Sequence, residues 1–187
     1  MSRILVAYAS HFGQTQKVAR RIADHLRARG HDVELADALA GKGPMPPPDD
    51  YDAVVIGSRI ETGRHASQIR SYLRAHRDAL REVPTGFFSV SMAASSPGVG
   101  ADPEGYLGKL FAEVGWTPTR AVAFGGGLPY RKYGWFLRFV MRQISRHAGH
   151  PTDTSRDHEL TDWNAVGQFA DDVADLVPVV QPAYARA

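Results

Sequence analysis

Apolar and polar positions follow two rhythms along the chain, and the rhythms take turns. Arg3 to Ala9 (RILVAYA) is a short apolar run suited to a buried strand. Behind it Val18, Ile22 and Leu26 recur at helical spacing, and Gly30 marks where that helix stops. His31 to Ala36 alternates as a strand does, and the proline-rich stretch Ala38 to Asp50 reads as a loop. Asp52 to Gly57 (DAVVIG) is the next buried strand, Ile69, Leu73 and Leu80 mark a second helix, and Thr85 to Met92 is a fourth strand-like segment. Asp102, Pro103 and Glu104 read as an N-cap followed by proline at the first helical position, opening a helix with Tyr106, Leu107, Leu110, Phe111 and Val114 inward. Thr119 to Phe124 is the fifth strand. Thr161 then caps a last helix whose inner stripe is Trp163, Val166, Phe169, Ala170, Val173 and Leu176.

Strands that alternate with helices call for a parallel sheet, because parallel neighbours need crossover connections and right-handed ones dominate. The expectation is an α/β, doubly wound, five-stranded parallel sheet in a single domain over residues 1–177, with a loose tail at 178–187. One segment breaks the alternation. Gly125 to Glu159 separates the fifth strand from the last helix, far beyond the ~2–6 residues of a usual connection. Inside it Trp135, Phe136, Phe139, Val140 and Ile144 fall on one helical face, with Arg138, Arg142, Gln143 and Arg146 towards the other.

Composition narrows the chemistry. The 187 residues are 43% apolar and 22% charged and contain no cysteine, so disulfides, thiolate nucleophiles, iron–sulfur clusters and cysteine-based zinc sites are excluded. The eight histidines lack the H-E-x-x-H spacing, and no metal site is expected. The N-terminal apolar block is too short for a signal peptide, which points to a cytoplasmic protein. The net charge of +2 hides an asymmetry: no acidic residue occurs between Glu113 and Asp153, where Arg120, Arg131, Lys132, Arg138, Arg142 and Arg146 lie. Nucleic acid is a poor partner, since the rest of the chain is net acidic and no recognition module is visible. The apolar face of the amphipathic segment is expected to pack as ordinary core, although that does not explain the missing acids. A membrane surface is the other reading, since arginine on one face and Trp and Phe on the other suit one.

The turn after the first strand reads Ser10-His11-Phe12-Gly13-Gln14-Thr15 and enters the helix directly. Hydroxyls beside unsatisfied first-turn N–H groups make an anion site suited to a phosphate. Neither the nucleoside-triphosphate loop nor the dinucleotide fingerprint is present.

VAYASHFGQTQKVARRIADHL resembles the opening of flavodoxin-like proteins, and YDAVVIGSRIETGRH resembles their third strand and flavin loop. The likeness extends over about residues 3–176 to the menaquinone-dependent protoporphyrinogen dehydrogenases of haem synthesis. It rests on Gly13-Gln14-Thr15, Tyr51-Asp52, Val55-Ile56-Gly57, Ile60, Gly63, Phe88-Ser89-Val90, Arg131 to Phe139 (RKYGWFLRF), Thr152-Asp153-Thr154 and Thr161-Asp162-Trp163. The resemblance implies strand order 2-1-3-4-5 and FMN at the switch between the first and third strands.

Carried over by position, Ser10, His11, Phe12, Gly13, Gln14 and Thr15 would hold the FMN phosphate. Gly57, Ser58, Arg59, Ile60 and Gly63 would flank the isoalloxazine, and Ser89, Val90, Ser91, Met92, Ala93 and Ala94 would form its other wall. Phe12 departs from the family by replacing a hydroxyl, and neither flavin loop offers an obvious stacking Tyr or Trp. The implied reaction is oxidation of protoporphyrinogen IX with menaquinone or ubiquinone as acceptor. Arg59, Arg64 and His65 are the candidate cations for the substrate's propionates. Arg131, Lys132, Trp135, Phe136, Arg138, Phe139 and Arg142 are candidates for membrane or quinone contact. No general acid or base stands out, consistent with chemistry carried by a cofactor. An electron-carrier flavodoxin and an NAD(P)H:quinone reductase are the alternatives. The acceptor and the oligomeric state stay open.

Overall fold

The computed structural model describes residues 1–40, 44–95, 105–147 and 149–177. The strands are β1 (Arg3–Ala9), β2 (Asp32–Asp37), β3 (Ala53–Glu61), β4 (Arg64–His65), β5 (Thr85–Ser91), β6 (Arg120–Gly125), β7 (Gly127–Leu128) and β8 (His158–Glu159). The helices are α1 (Gln14–Ala28), α2 (Ser67–Ala75), α3 (Ala79–Glu82), α4 (Tyr106–Val114), α5 (Trp135–His147) and α6 (Trp163–Leu176). The sheet runs β2-β1-β3-β5-β6, with every neighbour parallel and only β4 attached antiparallel to β3. With the short β4 set aside, this is the expected doubly wound order.

Successive residues of a strand face opposite sides, and β1 divides its side chains accordingly. Ile4, Val6 and Tyr8 join Val55, Phe88 and Val90 under α1 and α6. Leu5, Ala7 and Ala9 join Val54, Ile56 and Phe87 under α2, α3 and α4. Both faces are covered, so the central strands read as continuous apolar runs.

Three expectations need correction. β3 does not stop at Gly57 but continues to Glu61, because Ser58 and Arg59 keep their pairing with Ser89 and Val90 of β5. Ile69, Leu73 and Leu80 do not share one helix: the chain breaks at His76–Asp78, and Leu80 sits in the separate α3, its carbonyl accepting from Trp116 Nε1 at 3.4 Å. The cap of α6 is Asp162, whose carboxylate accepts from Asn164 and Ala165 N–H (2.9 and 3.2 Å). Thr161 is engaged elsewhere, donating to the Gly125 carbonyl at 2.7 Å. Two further expectations, the helix start at Asp102–Glu104 and the tail at 178–187, lie outside the described residues; α4 is described from Tyr106.

Candidate functional site

Three loops leave the carboxyl ends of β1, β3 and β5, the edge where open α/β sheets bind ligands. The first is the turn Ser10–Gly13. Ser10 Oγ accepts the Gly13 N–H at 3.1 Å, which leaves its hydroxyl proton to donate. Gly13 adopts φ +98°, a left-handed conformation that carries the chain abruptly into α1, and no side chain caps that helix. Thr15 is buried behind the turn. Hydroxyls, uncapped helical N–H groups and the absence of any carboxylate from residues 10–15 form a donor set that fits a phosphate.

The second loop is the hairpin between β3 and β4. Thr62 (φ +49°) and Gly63 (φ +76°) make its two-residue turn, between Glu61 and Arg64. Glu61 ties this hairpin to the first loop. One oxygen accepts from Arg59 Nε at 3.0 Å and the other lies 3.8 Å from His11 Nδ1. Arg59 keeps a buried Nη1 with no hydrogen-bond partner among the described residues, an orphaned donor that suits an acceptor-rich ring or a carboxylate.

The candidate residues here take different places. Gly57 lies within β3 beneath the Phe88 ring. Ser58 is fully buried and its Oγ accepts from Ala66 N–H at 3.1 Å. Ile60 is half-buried at the strand's end, and Arg64 is exposed. His65 needs correction as a candidate cation. It turns inward, 5% exposed, its Nε2 3.2 Å from the Tyr106 carbonyl, and burial pushes its pKa down to about 4, so the ring is neutral near pH 7.

In the third loop Ser89 and Val90 are buried strand residues, and Ser91 Oγ accepts from Ala94 N–H at 3.1 Å. Ala93 begins a short 3-10 turn. Met92 packs into a small separate core with Phe12, Leu128, Tyr130, Tyr133, Met141 and Leu160. Tyr130 anchors that core: fully buried, it donates to the Pro151 carbonyl and lies 3.0 Å from Ser145 Oγ.

That core belongs to the long segment after β6, which returns to its starting point. β7 pairs with β8, and Leu160 N–H reaches the Gly126 carbonyl at 2.9 Å. The segment grips the first loop from two sides. Tyr133 packs edge-on against Phe12 (5.3 Å) and Lys132 Nζ donates to the Phe12 carbonyl at 2.8 Å. Opposite, Gln14 Nε2 donates to Glu159 Oε1 and Thr161 Oγ1 (3.0 and 2.8 Å). The departure at Phe12 thus has a structural reason: its ring anchors the insertion.

The aromatic residues of the α5 stripe face outward. Trp135, Phe136 and Phe139 are 84%, 64% and 59% exposed, which overturns their reading as ordinary core. Arg142 is exposed beside them. Arg131 and Arg138 are tied down, through Nε to the Ser155 and Tyr130 carbonyls respectively. Sequence reasoning missed Glu61 and Glu159 altogether. Nothing in the pattern marked them, because their roles come from loops that meet only in the fold.

The comparisons agree with this geometry. Residues 5–155 match the family model of the flavodoxin domain, and the chain belongs to the flavodoxin family. It is 30% identical to protoporphyrinogen IX dehydrogenase [quinone] of Escherichia coli K12, over 93% of this chain and 96% of that one. The protein of the same name from Leishmania major is 30% identical over 96% of this chain and 78% of its own length. Among solved structures, oxidised flavodoxin 1 from Bacillus cereus superposes with TM-score 0.57 at 15% identity, covering 95% of this chain and all of that one.

Proposed function

We propose that the chain is an FMN-dependent, quinone-linked oxidoreductase that converts protoporphyrinogen IX to protoporphyrin IX. The observation that carries this reading is the likeness, over 93% and 96% of this chain, to two proteins named for that reaction, which spans the insertion as well as the sheet. Ser10, Gly13 and Thr15, with the N–H groups opening α1, hold the phosphate. Arg59, Ile60 and Gly63 flank the ring on one side, and Ser91 to Ala94 on the other. Bound FMN supplies two-electron redox chemistry between the reduced tetrapyrrole and a quinone.

The chain's own residues bind and orient. Arg64, exposed and without an ion-pair partner among the described residues, takes a propionate at the mouth, and the free Nη1 of Arg59 adds a second donor. Over the whole reaction the tetrapyrrole loses six electrons and six protons, and three quinones become quinols. A lipid-soluble acceptor accounts for the outward aromatic face of α5: Trp135, Phe136 and Phe139 enter the headgroup region while Arg142 meets anionic lipid.

The test is anaerobic. Protein reconstituted with FMN receives protoporphyrinogen IX and a soluble quinone, and porphyrin fluorescence is followed against a protein-free control. Quinone-dependent porphyrin formation is expected. Flavin binding without porphyrin above the control would reject the substrate and leave an electron carrier.

A further inference from the structure

The two grips of the insertion on the first loop differ in charge. At the Gln14 end, Glu159 offsets a cation, its Oε2 lying 3.2 Å from Lys17 Nζ. Burial pushes the Glu159 pKa up, but hydrogen bonds from Gln14 and Lys17 outweigh it and hold the carboxyl below its ordinary range. At the Phe12 end Lys132 meets only a neutral carbonyl, and no carboxylate among the described residues pairs with it. Its ammonium stands 3.7 Å from where a Cβ on Gly13 would lie, over the turn that opens α1. One of its three N–H donors is used.

That placement is unfavourable for the chain alone. The start of a helix carries partial positive charge and unsatisfied N–H groups, so cations are stabilising at the other end. A lysine held here by its own hydrogen bond is a local conflict, and such conflicts mark places where a ligand resolves them. An anion seated on the turn would meet the helical N–H groups, the Ser10 hydroxyl and this ammonium together.

We infer that Lys132 is a binding residue for the cofactor's phosphate: the insertion supplies the cation that residues 10–15 lack. The inference rests on the FMN reading above and deepens it. Phosphate affinity then depends on the insertion being docked, through a residue that stands 120 positions after Phe12 in the chain.

Riboflavin separates the roles, because it carries the same ring without the phosphate. Apoprotein is titrated with FMN and with riboflavin, following quenching of flavin fluorescence, for the wild type, Lys132→Gln and Lys132→Arg. Lys132 is exposed, so the variants are expected to fold, and far-UV circular dichroism checks this. Lys132→Gln should raise the FMN Kd roughly ten- to a hundredfold, the range of a charge-assisted hydrogen bond, and leave riboflavin unchanged. Lys132→Arg should restore most of the FMN affinity, and added salt should weaken FMN binding more in the wild type than in Lys132→Gln. Equal losses for both flavins would reduce Lys132 to a support for the loop's shape and overturn the inference. FMN binding indifferent to Lys132→Gln would overturn it while sparing the cofactor reading. A wild type that binds neither flavin would overturn both.

Discussion

The ring of Phe88 lies across the α-carbon of Gly57, so close that a Cβ there would stand 2.1 Å from Phe88 Cζ. The contact sits between paired positions of β3 and β5, where Gly57 faces Phe88 in the register. Phe88 is fully buried against Phe124 and Phe169 and has little room to withdraw. Gly57→Ala should therefore cost about 1–3 kcal/mol of stability through overpacking, read as a lower midpoint of urea unfolding. An unchanged midpoint would mean that Phe88 can move aside.

The buried His65 predicts a dependence on pH. Its folded pKa, about 4, lies below the ordinary 6.5, so the unfolded chain takes up this proton first. The contribution is fully present above about pH 6.5, declines as pH falls towards 4, and amounts to roughly 3 kcal/mol. His65→Phe removes the titration. The difference in unfolding free energy between wild type and variant should shift by about that amount between pH 7 and pH 4, against the wild type. A constant difference would contradict a neutral, buried imidazole.

Phe12 predicts how the insertion is fastened. Phe12→Ser restores a hydroxyl to the first loop but removes the edge contact to Tyr133 and a member of the small core. The loss should be about 1–2 kcal/mol, concentrated locally. Amide hydrogen exchange at residues 127–133 should quicken while exchange in β1 and β3 stays slow. Uniform protection across the insertion would show that its other contacts suffice.

The outward face of α5 predicts separable behaviour. Replacing Trp135, Phe136 and Phe139 together by serine touches exposed positions, so each change should alter stability by no more than about 0.5 kcal/mol. Sedimentation with anionic liposomes should be lost. Retained sedimentation would place lipid contact elsewhere.

Sequence pattern and structure agree where one rhythm suffices. β1 is an apolar run, α1 follows at helical spacing, and Ser10 to Thr15 must lie between them at the sheet's carboxyl edge. Agreement fails where partners are distant in sequence. Ser58 and Arg59 look like a loop because they are polar, yet the backbone of β5 holds them in the strand. The spacing of Trp135, Phe136 and Phe139 predicts a helix but cannot say which side of it the protein occupies. Thr161 reads as a cap until Gln14 and Gly125 claim its hydroxyl, and Asp162 does the capping instead.

The two-rung pairing of β7 with β8 makes the segment between them a side branch on a narrow stalk. The stalk lets β6 and α6 keep their places when the branch lengthens or shrinks, while Tyr133 and Lys132 brace the branch a second time against the first loop. Closing a longer loop costs only logarithmically more entropy, each doubling adding about 0.6 kcal/mol. The branch is accordingly a braced part: its removal would leave the strands of the sheet paired but would strip the first loop of Lys132 and of the ring that packs on Phe12.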